Sequence, residues 1–351
     1  MYNRLLILCL SLILSIGSAT AIADTVRLKA DHPDRYVVVK GDTLWDIAGR
    51  FLKNPWLWPE IWQNNPEIKN PHLIYPGDVI SLVIVNGKPT LRLKRGKSSR
   101  PTVKLSPHAQ ISSLSSAIPT IPLDAIKQFL LYPRIISKQE LEQAGYIFAQ
   151  DEGRLISGSG DKVYVRGIQA KVGQQFSIIR PGDAYRNPGA GKKDILGYEA
   201  LQIALGVVSA AGDPSTLLVK QAKREVLIGD RLLPLKNEEK LDQYFLPHAP
   251  NMPVKGTIIA VLDGVSRIGQ YHTVVLNKGK RDHLETGHVL AVDQTGELAR
   301  DTVEPKRGKT VRLPNERAGT VMVIRVFDRV SYALVMEASR DMRVYDTFTN
   351  P

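Results

Sequence analysis

The side chains able to do covalent or metal chemistry in this chain are few and poorly spaced for it. Seven histidines, His32, His72, His108, His248, His272, His283 and His288, could bind a metal or move a proton. None stands in a His-Glu-x-x-His arrangement, and His283 and His288 are five apart with no helical pattern around them. A zinc peptidase needs its ligands clustered on one face, so these read as surface or strand histidines. The single cysteine, Cys9, lies inside an apolar run near the start of the chain. No Gly-x-Ser-x-Gly turn is present to expose a serine nucleophile. No catalytic residue, metal ligand or cofactor is therefore assigned, which leaves recognition. Two stretches are suited to it. Residues 36–82 hold all four tryptophans, and a run of Lys88, Arg92, Lys94, Arg95, Lys97, Arg100 and Lys104 contains no acid. Such a run either attracts polyanions or forms a solvated, self-repelling spacer.

The tryptophan-rich stretch reads as strand, helix, helix, strand. Tyr36, Val37, Val38 and Val39 are β-branched or aromatic, and Gly41 ends the run. Asp42 or Thr43 can cap a following helix, and Asp46 sits in its first turn, where the helix dipole favours a carboxylate. Leu44, Ile47, Ala48 and Phe51 recur on one helical face, and Trp45 falls beside that stripe, available for contact with something else. Pro55 and Pro59 mark the start of a second helix with Leu57, Trp58, Ile61 and Trp62 on its face; Asn65-Pro66 stops it. Pro76-Gly77 turns the chain into a closing strand. Two helices on a two-stranded sheet make a module too small to tolerate much loss of core.

Gly41-Asp42-Thr43-Leu44 at one end of this stretch and Leu73-Ile74-Tyr75-Pro76-Gly77-Asp78 at the other resemble the LysM family. The resemblance covers about fifty residues and implies binding of polymers that contain N-acetylglucosamine, such as peptidoglycan. Transferred residue by residue, it places a shallow groove between two lips. Gly41, Asp42, Thr43, Leu44 and Trp45 form one, and Asn70, Pro71, Leu73, Ile74 and Tyr75 the other. Amides at the helix start would take acetamido carbonyls, and apolar side chains would cover methyl groups and sugar faces. Leu44 is expected in the core rather than the groove. Trp56, off the apolar stripe, is a further candidate to stack on sugar or partner.

A targeting segment is expected ahead of the module. Arg4 precedes an apolar stretch over residues 5–16, followed by a small-residue site at Ala21-Ile22-Ala23. Cleavage between Ala23 and Asp24 follows, since the stretch is shorter than the roughly 20 residues of a membrane span. An exported chain without disulfides is implied, located in the periplasm and peripheral to the cell wall and outer membrane. Nucleic acid is then no partner for the cations. The formal net charge of +12 is met instead by wall carboxylates or lipid phosphates.

The 351 residues suit an α+β multi-domain chain: a small βααβ module, then a mainly-β region of two related barrel-like units. The boundaries fall at 1–23 for the leader, 34–84 for the module, 85–122 for a basic linker rich in Ser and Pro, 123–155 for a short helical segment and 156–351 for the β region. Ser137-Lys138-Gln139-Glu140 has the form of a helix capping box, with a helix expected over residues 137–148. Beyond it, Val163-Tyr164-Val165-Arg166-Gly167 parallels Val274-Val275-Leu276-Asn277-Lys278-Gly279, and the stretch from Gly206 parallels that from Gly319. An offset of about 111 to 116 residues relates the pairs, as in a tandem repeat.

Leader, tryptophan-rich module, basic linker and β-rich tail together resemble the secretin-associated LysM proteins of type IV pilus systems, whose tail is similar to the C-terminal domain of a flagellar outer-ring protein. That resemblance implies a scaffold that binds peptidoglycan and anchors or aligns an outer-membrane secretin, with room for a homo-oligomeric ring around it. A wall hydrolase targeted by LysM is disfavoured by the absence of nucleophile and metal motifs. A wall anchor for another envelope machine, such as a flagellar ring, is the other alternative.

Overall fold

The computed structural model of the protein describes residues 26–62, 74–95, 119–121, 134–191, 194–235, 245–262, 268–301 and 310–351. The chain divides into two compact units, Met1–Lys40 with Trp45–Ser116, and Gly41–Leu44 with Ala117–Pro351. Ala23, Asp24, Asn70, Pro71, Leu73 and most of the expected linker lie outside the described residues.

The N-terminal module is built on a three-stranded antiparallel sheet, β1 (Arg35–Val37), β2 (Val79–Val85) and β3 (Lys88–Lys94), in that order. Tyr36 pairs with Ile80, and Ile80 with Leu93. Helix α1 runs Leu44–Phe51, and a 3-10 turn at Pro55–Leu57 leads into α2, Trp58–Trp62. Residues before the expected boundary also belong here: Leu28 bridges Leu52, and the Lys29 amide donates to the Phe51 carbonyl at 2.9 Å. Strand β3 replaces the expected start of the linker. Asn86 and Gly87 both adopt positive φ, 51° and 75°, and join β2 to β3 as a two-residue hairpin turn, whose twist matches that of the strands. Leu91 and Leu93 face the core while Lys88, Arg92 and Lys94 face solvent. Part of the basic run is therefore the solvated face of an edge strand, and charge there discourages pairing with other chains.

All four tryptophans are buried, Trp45 at 3%, Trp56 at 6%, Trp58 at 2% and Trp62 at 4% exposure. This corrects the expectation that Trp45 and Trp56 lie free of the core. In so small a module one apolar stripe covers too little area, and bulky rings on neighbouring faces of short helices supply the remainder.

Among the described residues the second unit holds two closed rings of six strands, with β4 (Arg134–Ile136) paired onto the edge of the first and a separate two-stranded sheet of β14 (Leu298–Arg300) and β15 (Thr310–Arg312). In the first, β5 (Gly145–Gln150) pairs with β6 (Lys162–Arg166), followed by β9 (Ser215–Ala222), β8 (Ile195–Ala210), β7 (Gln175–Arg186) and β10 (Arg231–Pro234), which returns to β5. In the second, β11 (Lys255–Val261) pairs with β12 (Thr273–Leu276), followed by β17 (Ser331–Ala338), β16 (Glu316–Val326), β13 (Val289–Gln294) and β18 (Thr347–Thr349), which closes on β11. Matching strands in chain order gives the same circuit in both rings. Ile147, Val163, Val165, Phe176 and Ile178 fill the first, and Val274, Leu276, Leu290, Val292 and Phe348 the second.

The β region begins earlier than residue 156, because β5 is the opening strand of the first ring. Helix α3 stops at Gln143 (Lys138–Gln143), so residues 145–150 are strand and not the expected continuation of helix. Its capping box is present: Glu140 donates its amide to Ser137 Oγ at 3.1 Å, and Ser137 its amide to Glu140 Oε2 at 2.9 Å. The rings are joined by an Arg329–Asp194 ion pair at 2.7 Å and by Asn277 Nδ2 donating to Asn187 Oδ1 at 2.9 Å. The Arg329 and Asn187 hydrogen bonds hold the Asp194 carboxyl below the usual carboxylate range.

One turn recurs ahead of strand after strand. Its third residue has positive φ; its fourth donates its backbone N–H to the carbonyl of the first and accepts the first residue's N–H on its side chain. Before β2 it is Tyr75-Pro76-Gly77-Asp78, with Gly77 at φ 96° and the Tyr75 amide 3.0 Å from Asp78 Oδ2. The first ring uses it before β6, closed by Asp161 at 2.8 Å, before β7, closed by Gln174 at 3.2 Å, and before β10, closed by Asp230 at 2.9 Å. The second ring uses it at the three matching places, closed by His272 Nδ1 at 3.2 Å, His288 Nδ1 at 3.1 Å and Asp346 at 2.7 Å. Each closing side chain satisfies an amide that the reversal would otherwise leave without an acceptor.

Asp230 carries the most in this role, since its carboxylate also takes Arg180 Nε and Nη2 at 2.8 and 2.9 Å. Asp230→Ala is expected to cost about 1–3 kcal/mol of stability by stranding those donors. Urea unfolding of the full chain measures it; a change within error would show the turn to be dispensable.

Candidate functional site

The first lip begins at Gly41, whose φ of +99° is open to glycine at little cost, with empty space where a Cβ would stand. Asp42, Thr43 and Leu44 follow, all buried, at 9%, 2% and 3% exposure, and the chain enters α1 at Leu44. Leu44 thus serves the core, as expected, and what it offers a ligand is backbone. Amides at a helix start have no partner within the helix. The Leu44 amide has one elsewhere, donating to the Pro119 carbonyl at 3.0 Å. Thr120 and Ile121, next in sequence, have no exposed surface. Sequence reasoning missed this contact because residues 119–121 fall inside the expected linker; the only local signal is an Ile-Pro-Thr-Ile-Pro stretch amid polar residues.

At the second lip, Ile74 is fully buried, Tyr75 is half-buried, and Pro76 and Gly77 are exposed. The turn is rigidly tied. Asp78 is 6% exposed, its amide donates to the Tyr75 carbonyl at 3.0 Å, and Val38 exchanges hydrogen bonds with the Gly77 amide and the Asp78 carbonyl, both at 2.8 Å. Pro76 and Gly77 occupy the two corner positions that a type II turn assigns to them. Tyr75 is therefore the described residue of this lip with side-chain surface to offer. Tyr36, on β1, instead carries Arg50 over its ring at 4.4 Å.

Among the described residues, His248, Glu285 and His288 form one group whose ligand atoms lie within 4.8 Å of one another. The hydrogen bond made by His288 does not suit a metal. His288 Nδ1 accepts the Glu285 amide, so a neutral ring carries its proton on Nε2 and has no second lone pair to give. The ring stands edge-on to His248 at 4.7 Å, and His248 Nδ1 donates to the Leu246 carbonyl at 2.9 Å. His288 is the turn-closing residue ahead of β13, in the place that Gln174 takes ahead of β7. Burial, and then the neighbouring His248, lower its pKa; Glu285 opposes them.

Residues 36–83 match the LysM domain model. A second similarity is to an uncharacterized protein, YqbP, of Bacillus subtilis strain 168, 38% identical over 66 residues, 16% of this chain and 30% of that protein. The chain thus spans less than a third of that relative. LysM is a binding module for N-acetylglucosamine-containing glycans such as peptidoglycan, not a catalytic one. No helix among the described residues is long and apolar enough to cross a membrane.

Because the folded pKa of His288 lies below its ordinary 6.5, its contribution to stability is whole above that value and is lost as the pH falls through the folded pKa. A thermal midpoint that drops between about pH 7 and pH 5 is expected. His288→Asn, which can still accept the Glu285 amide, should flatten that drop. An unchanged pH profile would place the titration elsewhere.

Proposed function

We propose that the chain is an exported envelope scaffold that grips peptidoglycan through its LysM module and holds an outer-membrane secretin of a type IV pilus system through its paired β rings. The wall-binding half is carried by the LysM match over residues 36–83, which includes the described parts of both lips. In this reading the backbone where α1 begins and the tied turn at Tyr75 supply neutral hydrogen bonding and one aromatic surface, the means by which an uncharged amino-sugar repeat is held. Trp45 supports the first lip from the core. Asn70, Pro71 and Leu73 complete the second in this reading.

The secretin half rests on the resemblance of the whole chain to the pilus proteins and on the repeated ring topology, which provides two similar rigid bodies for a partner. Cleavage between Ala23 and Asp24 would release the chain into the periplasm. There the exposed cations of β3, Lys88, Arg92 and Lys94, meet wall or lipid anions.

Co-sedimentation with purified sacculi tests the first half. The full chain should pellet with them, and Tyr75→Ala should weaken binding by roughly 5-fold or more with the fold intact, the cost of losing about one good apolar contact. Equal pelleting of both chains would move the site elsewhere. Crosslinking in cells tests the second half. Recovery of a secretin is expected, and recovery of flagellar ring subunits in its place would overturn the pilus assignment.

A further inference from the structure

We propose that residues 119–121 are an internal strap on the helix-start lip, a segment of the chain that occupies part of the glycan site and must leave before sugar can bind. This rests on the reading of residues 41–44 as a glycan lip and adds to it a form of regulation.

The contested donor is the Leu44 amide. It stands at the first residue of α1, where the helix supplies no acceptor, and it points at a carbonyl already: Pro119 O, at 3.0 Å. A peptide carbonyl and the acetamido carbonyl of an amino sugar are the same kind of acceptor, so the strap presents to this amide the group that the glycan would present. Proline suits the task, having a carbonyl but no N–H that would demand a partner of its own. The two residues that follow, Thr120 and Ile121, have no exposed surface, so the segment is held in place and does not lie loose on the surface. Residues 41–44 belong to the same compact unit as the chain from Ala117 onward, so lip and strap form one body.

One amide cannot serve two carbonyls at full strength, so strap and sugar compete. The apparent dissociation constant is the intrinsic one divided by the fraction of chains with the strap away. A strap seated nine times in ten therefore weakens binding by about 10-fold. Ile121 is the point at which to unseat it: aspartate there places a charge where no surface meets water.

The test is calorimetric titration of the full chain and of its Ile121→Asp variant with a chitin-type tetrasaccharide, together with hydrogen exchange at the Leu44 amide. We expect the variant to bind roughly 5- to 10-fold more tightly and its Leu44 amide to exchange faster. Equal or weaker affinity in a folded variant would overturn the strap and leave the glycan site standing. Failure of both chains to bind either the tetrasaccharide or sacculi would overturn the site reading, and the strap's regulatory role with it. The milder Ile121→Ala should give a smaller gain in the same direction, and it carries the test if the aspartate variant does not fold.

Discussion

A backbone amide at a chain reversal lies outside the strand ladder and needs another acceptor, and this protein meets that constraint repeatedly in one way. A residue of positive φ is followed by a side chain that reaches back to the amide three residues earlier. Asp78 does this in the LysM module, and Asp161, Gln174, Asp230, His272, His288 and Asp346 do it in the rings. The turn sets the entry point, and so the register, of the strand that follows. Its recurrence at three matching places gives the two rings their common frame, while the chemistry of the closing group is free to vary. At His288 the frame becomes sensitive to protons, because a protonated ring nitrogen accepts no hydrogen bond.

The same demand operates at the glycan lip. The amide at the start of α1 is unsatisfied by the helix and is met by Pro119, and a sugar acetamide could meet it as well. The donor that α1 leaves over is thus satisfied by a carbonyl from elsewhere in the chain. The tryptophans, of which Trp45 and Trp56 look free for contact in the sequence, are buried and supply the bulk that allows so short a chain to hold the donor in place.

Periodicity and turn chemistry made much of this legible in the sequence. Leu44, Ile47, Ala48 and Phe51 mark α1 correctly, Pro76-Gly77 marks the turn before β2, and Ser137 with Glu140 marks the cap of α3. The parallel between the stretches from Gly206 and Gly319 follows the matched strands β8 to β10 and β16 to β18. Other features were hidden by competing signals. Strand β3 was masked by its cations, although Asn86-Gly87 is a strong local hairpin signal. Trp45 was misplaced because a single helical stripe underestimates burial in a tiny domain. Residues 145–150 continue an apparently helical pattern, yet ring pairing with β6 and β10 draws them into strand. The contact of Leu44 with Pro119 joins partners far apart in sequence, and the short Ile-Pro-Thr-Ile-Pro stretch does not say where it docks.

The LysM module is proposed to hold amino-sugar polymer through backbone donors at its lips and through Tyr75. The most direct measurement is an amide chemical-shift titration of the isotopically labelled full chain with soluble peptidoglycan fragments. Saturable shifts concentrated at residues 41–45 and 74–78, with the rings unmoved, are expected. Shifts confined to the rings or to the exposed cations of β3, or none at all at millimolar fragment, would contradict the proposal.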